Sequence, residues 1–143
     1  MQKVSEIMSH DIQACTPLDN VFEVAVKMKE WDVGSIPIVE GNQLLGMITD
    51  RDLVVRGIAE KHPGSYEVTK VMSDNLFTIS PEANVEEAAQ LMAKHQIRRL
   101  PVVENGQIVG MVTLGDLSLN QLTDQQAGSA LTTISEQNHQ DLH

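Results

Sequence analysis

Apolar residues fall at helical spacing in two windows of the chain. Val21, Val24, Ala25 and Met28 follow one another at steps of three and four, and Val85, Ala88, Ala89 and Met92 do the same further on. Each window predicts an amphipathic helix. Asn20 and Asn84 stand ahead of them as N-caps, with Glu23 and Glu87 three residues later to close a capping box. After each helix comes a β-branched run, Ser35-Ile36-Pro37-Ile38-Val39 and Arg99-Leu100-Pro101-Val102-Val103. These predict strands, with the proline at the start or on an edge because it withholds a ladder donor. Glu40-Gly41-Asn42-Gln43 and Glu104-Asn105-Gly106-Gln107 predict hairpin turns, the Asn-Gly step favouring positive φ. Residues 44–48 and 108–112 are the returning strands, and a second helix opens near Thr49 and Thr113. Shorter apolar stretches at 13–15 and 77–79 predict a leading strand, each preceded by a short helix.

The two series are one series written twice. Residues 4–53 lie over residues 68–117 at an offset of 64 without a gap, and 18 of the 50 paired positions are identical. That is too long a period for a solenoid unit, and it occurs only twice. The chain is therefore expected to be α+β, with two β-α-β-β-α repeats. Neither copy buries much surface alone, so the two are expected to pack about a pseudo-two-fold axis that creates paired clefts. Residues 1–60 form the first repeat, 61–67 a Gly- and Pro-containing linker, and 68–122 the second repeat. Residues 123–143 are a polar tail in which 127–134 could form a short helix.

Composition narrows the function. The net charge is −10, with ten acids and six bases in residues 1–64 and ten acids and four bases in the rest. Neither half offers the basic face that nucleic acid or an anionic membrane needs. Aromatics are 3%, which leaves few rings for stacking bases. No apolar run approaches the roughly 18 residues of a membrane span, and MQKVSEIMSHD has no signal-like stretch. A cytoplasmic location is expected. Cys15 is single and reads as a buried, inert thiol; Trp31, Met28 and Met92 read as packing. The histidines do not cluster; His139 and His143 are one turn apart with no third ligand near, so no metal site is expected. No nucleophile–base pair or phosphate loop supports an enzyme.

Two motifs carry candidate chemistry. Thr49-Asp50-Arg51-Asp52 and Thr113-Leu114-Gly115-Asp116 each follow a strand and open a helix, and Gly46 and Gly110 allow close backbone approach. A helix start offers N–H groups and a positive dipole end to phosphate, and an aspartate one turn in suits ribose hydroxyls. The same Thr-x-x-Asp spacing is also a capping box worth about 1 kcal/mol and no function. Arg98-Arg99 is the chain's one adjacent basic pair, and repeat 1 has Gly34-Ser35 in its place, so the two clefts are expected to differ in anion affinity. Arg51 partly compensates in the first.

The doubled motifs, VGSIPIVEGNQLLGMITDRDL and IRRLPVVENGQIVGMVTLGDL with MSxxI/L and T/S-P upstream, resemble a cystathionine β-synthase (CBS) domain pair, or Bateman module, of the stand-alone bacterial type. The resemblance covers about residues 3 to 120. It implies sheets packed face to face, with two clefts for adenosine compounds: AMP, ADP, ATP or S-adenosylmethionine. Carried over by position, the first cleft uses Thr16, Val33, Ser35, Ile36 and Pro37 around the base, with Thr49, Arg51 and Asp52 for phosphate and ribose. The second uses Ser80, Ile97, Arg99, Leu100 and Pro101, with Arg98, Thr113 and Asp116. It also implies a homodimer and a regulatory role read by a partner protein. No cofactor is required for that role. The alternative is a structural interaction module with empty clefts.

Overall fold

The computed structural model describes residues 2–119. The polar tail lies outside them. The elements alternate as the hydrophobic pattern requires: α1 (Val21–Trp31), β1 (Ser35–Glu40), β2 (Gln43–Thr49), α2 (Asp50–Asp52), α3 (Val85–His95), β3 (Arg99–Glu104), β4 (Gln107–Thr113) and α4 (Leu114–Ser118). Single 3-10 turns stand at Val4–Glu6 and Val68–Lys70, where the short leading helices are expected. The class is α+β.

The chain divides into two compact units. One is Gln13–Leu76; the other joins residues up to Ile12 to those from Phe77 onward. We call them the first-repeat and second-repeat units. This grouping runs out of phase with the sequence repeats, because the leading turn of each copy packs with the body of the other. Val4 N–H donates to Ala83 O at 2.8 Å and Val85 N–H to Gln2 O at 3.0 Å. Val4 is fully buried among Val85, Met92, Leu100 and Leu117. In the first-repeat unit Val68 and Val71 are buried with Cys15, Val24, Ile36 and Ile48.

Residues 61–67 also do more than connect. Tyr66 O and Gly64 O accept from Val21 N–H and Phe22 N–H at 2.9 Å each, which satisfies donors that the first turn of α1 leaves open. In α1 the capping box closes, Glu23 N–H to Asn20 Oδ1 at 2.8 Å and Asn20 N–H to Glu23 Oε1 at 3.1 Å. In α3 only the Asn84 half of the box forms, at 2.9 Å. Both helices end on a left-handed residue, Asp32 and Gln96, which turns the chain back into a strand.

Each unit carries an antiparallel hairpin at the expected place, paired from Ser35↔Thr49 to Glu40↔Gln43 and from Arg99↔Thr113 to Glu104↔Gln107, with a register shift after Ile38 and after Val102. The hairpin turns use positive φ at Gly41, Asn105 and Gly106. The leading strands shrink to one residue. Cys15 bridges β1 through Cys15 N–H to Pro37 O (3.0 Å) and Val39 N–H to Cys15 O (2.8 Å), and Ile79 bridges β3 through Pro101 O and Val103 N–H in the same way. The prolines sit third in their strands rather than first. Their missing N–H lies on the side of this bridge, so the added strand finds no further donor there.

On the other side of each hairpin a Met-Ser step closes in. Met47 N–H donates to Ser73 O and Ser73 N–H to Met47 O, both at 2.9 Å; Met111 and Ser9 repeat the exchange. Gly46 and Gly110 make room for it. A Cβ on Gly46 would stand 2.7 Å from Met72 Sδ and 2.8 Å from Ser73 O, and one on Gly110 2.6 Å from Met8 Sδ and 2.9 Å from Ser9 O. The close approach read from these glycines is thus to the chain's own backbone.

The second helix of the first repeat is irregular. After α2 it widens over Leu53–Gly57, tightens over Ile58–Glu60 and stops at Lys61 in a left-handed conformation.

Candidate functional site

Two constellations form, one at the open end of each hairpin. Thr49 ends β2 opposite Ser35, and Thr113 ends β4 opposite Arg99. Each threonine then caps the helix that follows. Asp52 N–H donates to Thr49 Oγ1 at 3.1 Å while Thr49 N–H donates to Asp52 Oδ2 at 2.9 Å. The second unit repeats this with Thr113 and Asp116 at 3.1 and 2.8 Å. The capping reading of Thr-x-x-Asp is therefore realised in both copies. One oxygen of each carboxylate is committed to the backbone and the other is not.

The helix starts differ beyond the cap. In the first-repeat unit Asp50 N–H donates to Gly34 O (2.9 Å), Arg51 N–H to Asp50 Oδ1 (2.8 Å) and Asp52 N–H to Thr49 Oγ1. All three leading donors of α2 thus have partners within the chain. In the second-repeat unit Leu114 N–H donates to Arg98 O at 2.9 Å and Asp116 N–H to Thr113, but no acceptor for Gly115 N–H stands among the described residues.

The spare carboxylate oxygens differ too. Arg56 Nη2 donates to Asp52 Oδ1 at 2.7 Å. Arg56, four residues on, was missed in sequence; its i,i+4 spacing was the signal. Arg51, expected to serve phosphate, is exposed. In the second-repeat unit Arg98 is exposed and Arg99 half-buried beside Thr113. Burial pulls the Arg99 guanidinium below its ordinary pKa, and the Asp116 carboxylate opposes that shift.

The remaining positions separate by burial. Pro37 and Pro101 are buried; Val33, Ser35 and Ile97 are half-buried. Ile36 and Leu100 are fully buried in the two cores, so their side chains are withheld from a base. Thr16 and Ser80 are exposed, next to the Cys15 and Ile79 bridges, and their hydroxyls accept from Leu18 N–H (3.2 Å) and Glu82 N–H (3.1 Å). The Cys15 thiol is buried and pushed up to about 11 by burial, with Asp19 adding to the shift. Among the described residues no three His, Cys, Asp or Glu side chains gather as a metal site, and no helix is long and apolar enough to cross a membrane. His139 and His143 lie outside the described residues.

A family model described as CBS domain matches residues 4–57 and 68–120. The chain belongs to the CBS domain family. Its relatives include YlbB, an uncharacterized protein of Bacillus subtilis, 51% identical over 138 residues that span 95% of this chain and 93% of that one. Two solved CBS structures share the fold. CBSX2 in complex with AMP has a TM-score of 0.74 and 25% identity, covering 87% of this chain and 99% of that one. The CBS domain pair of MJ0100, in complex with 5′-methylthioadenosine and S-adenosyl-L-methionine, has a TM-score of 0.70 and 26% identity, covering 83% and 94%.

Proposed function

We propose that this CBS pair is a regulatory module that binds an adenosine compound and passes the binding on as a conformational change to a partner protein. The observation that carries the reading is the meeting of Arg99, Thr113 and Asp116 at one end of β3 and β4, with Arg98 next in the chain and its carbonyl bonded to the following helix start. Two guanidinium groups suit phosphate, and the uncommitted oxygen of Asp116 suits ribose hydroxyls. The adenosine ligands in the two related structures support the class. AMP, ADP, ATP and S-adenosylmethionine are the candidates, and none acts as a required cofactor.

The role is non-catalytic and cytoplasmic in this reading. A homodimer accompanies it: Leu18, Phe22, Val54, Val55 and Ile58 are exposed in the first-repeat unit, more apolar surface than a small unit leaves to water without cause. Binding at micromolar strength supplies about 8 kcal/mol, and the part of it that is made in one packing and not the other biases two packings that differ by a few.

Calorimetry on nucleotide-free protein with AMP, ATP and S-adenosylmethionine tests the reading. Saturable heat with at least one of them is expected. Silence with all three, from folded protein, removes the sensor role and leaves a structural module.

A further inference from the structure

The two sites are built on one plan, which makes their difference at a single residue legible. Asp50 and Leu114 are equivalent: each donates its N–H at 2.9 Å to the carbonyl of the residue before the strand, Gly34 or Arg98. Leu114 turns its side chain into the core, where it is buried. Asp50 is exposed. Its Oδ1 takes the Arg51 N–H, and its Oδ2 lies 3.2 Å from where a Cβ on Gly34 would stand. That is the place from which Arg98 departs in the other copy. One aspartate therefore does two things to the first-repeat site. It sets a negative charge beside the Gly34 backbone, where the other copy carries an arginine side chain, and it engages the Arg51 N–H, whose counterpart, Gly115 N–H, has no partner among the described residues. Arg56 does not restore the balance, because Asp52 already engages it at 2.7 Å.

We propose that Asp50 sets the first-repeat unit against phosphate, so that this site takes an adenosyl compound whose 5′ substituent is uncharged or cationic while the second-repeat unit takes the phosphorylated one. This rests on the adenosine-binding reading above. A carboxylate at hydrogen-bonding range repels a phosphate and attracts a sulfonium or ammonium group. Adenosine itself, with no charge, feels neither effect.

The test is calorimetry on the full chain with AMP, S-adenosylmethionine and adenosine, for the natural protein, Asp50→Asn, and the graft Asp50→Leu with Gly34→Arg. Asp50→Asn keeps an acceptor for Arg51 N–H and removes only charge. In the graft the new leucine is to turn into the core as Leu114 does, which clears the space over Gly34 for the arginine. The natural chain is expected to bind one AMP. Asp50→Asn should tighten AMP at the first-repeat site and weaken S-adenosylmethionine there, each by about tenfold. The graft should bind two AMP per chain. Adenosine affinity, which also reports correct folding, should change less than about twofold, as a neutral ligand feels no added charge. Two equal AMP sites in the natural chain overturn the proposal, as does a graft that still binds adenosine but gains no AMP site. If adenosine compounds bind none of the three proteins, the parent reading falls and takes this one with it; a chain that binds AMP twice sinks only the asymmetry.

Discussion

Arg56 reaches back one turn to Asp52, with Nη2 2.7 Å from Oδ1. The aspartate's other oxygen holds Thr49 N–H, so both oxygens are occupied. Asp116 keeps its cap but shows no such ion pair among the described residues. The repeats thus share a motif and differ in how much of it remains for a ligand.

Arg56→Met is expected to free Asp52 Oδ1 while keeping the aliphatic stem. The pair is partly exposed, so stability should fall by only about 0.5 kcal/mol. Adenosine affinity of the first-repeat site should rise. Urea denaturation and calorimetry check both, and an unchanged affinity would show that the ion pair does not compete with ribose.

Asp116→Ala should weaken AMP binding more than Asp52→Ala does. Both variants lose the acid half of a capping box, and Asp52→Ala also loses the Arg56 ion pair, so Asp52→Ala should be the less stable by about 0.5 kcal/mol while Asp116→Ala loses more AMP affinity. Equal affinity losses would contradict the ranking of the two sites.

Gly46→Ala and Gly110→Ala should each be strongly destabilising, by about 2–4 kcal/mol, because the atoms met first include a backbone carbonyl held by paired hydrogen bonds. A methyl at Gly41 meets nothing within 4 Å, but its φ of 63° makes Gly41→Ala costly through backbone strain alone, by about 1 kcal/mol. Chemical denaturation should order the three variants in that way.

Cys15 favours its neutral form in the fold, with a pKa pushed from 9.0 to about 11. Its contribution is fully present below pH 9.0 and is lost as pH rises through about 11. The natural chain should therefore lose stability more steeply across that window than Cys15→Ala. A parallel decline in both proteins would show that the thiol does not titrate this way. Thiol reagents at neutral pH should label Cys15 only after unfolding.

Much of this architecture was legible because it is local. Asn20 with Glu23, the Asn105-Gly106 turn and the Thr-x-x-Asp caps are each fixed within four residues, and each stands where the pattern places it. What the sequence hid is non-local. Val4 and Val68 occupy equivalent positions in the two aligned copies, so periodicity cannot say which body either joins; the structure puts each with the other copy. The one-residue strands at Cys15 and Ile79 follow from the side on which Pro37 and Pro101 lack a donor, which no propensity encodes. The site was legible in its residue types and not in their commitments. Asp50 carries no signal in the sequence beyond its place in the motif, yet its two oxygens reach Arg51 N–H and the space over Gly34. Ile36 and Leu100 belong to the cores, because alternation along a strand sends every second side chain inward.

The most direct test of the central claim is a crystal structure of the protein with AMP. The account predicts the phosphate beside Arg98 and Gly115 N–H in the second-repeat unit, with the ribose hydroxyls on Asp116. AMP bound away from those residues, or Asp116 turned from the nucleotide into solvent, would contradict it.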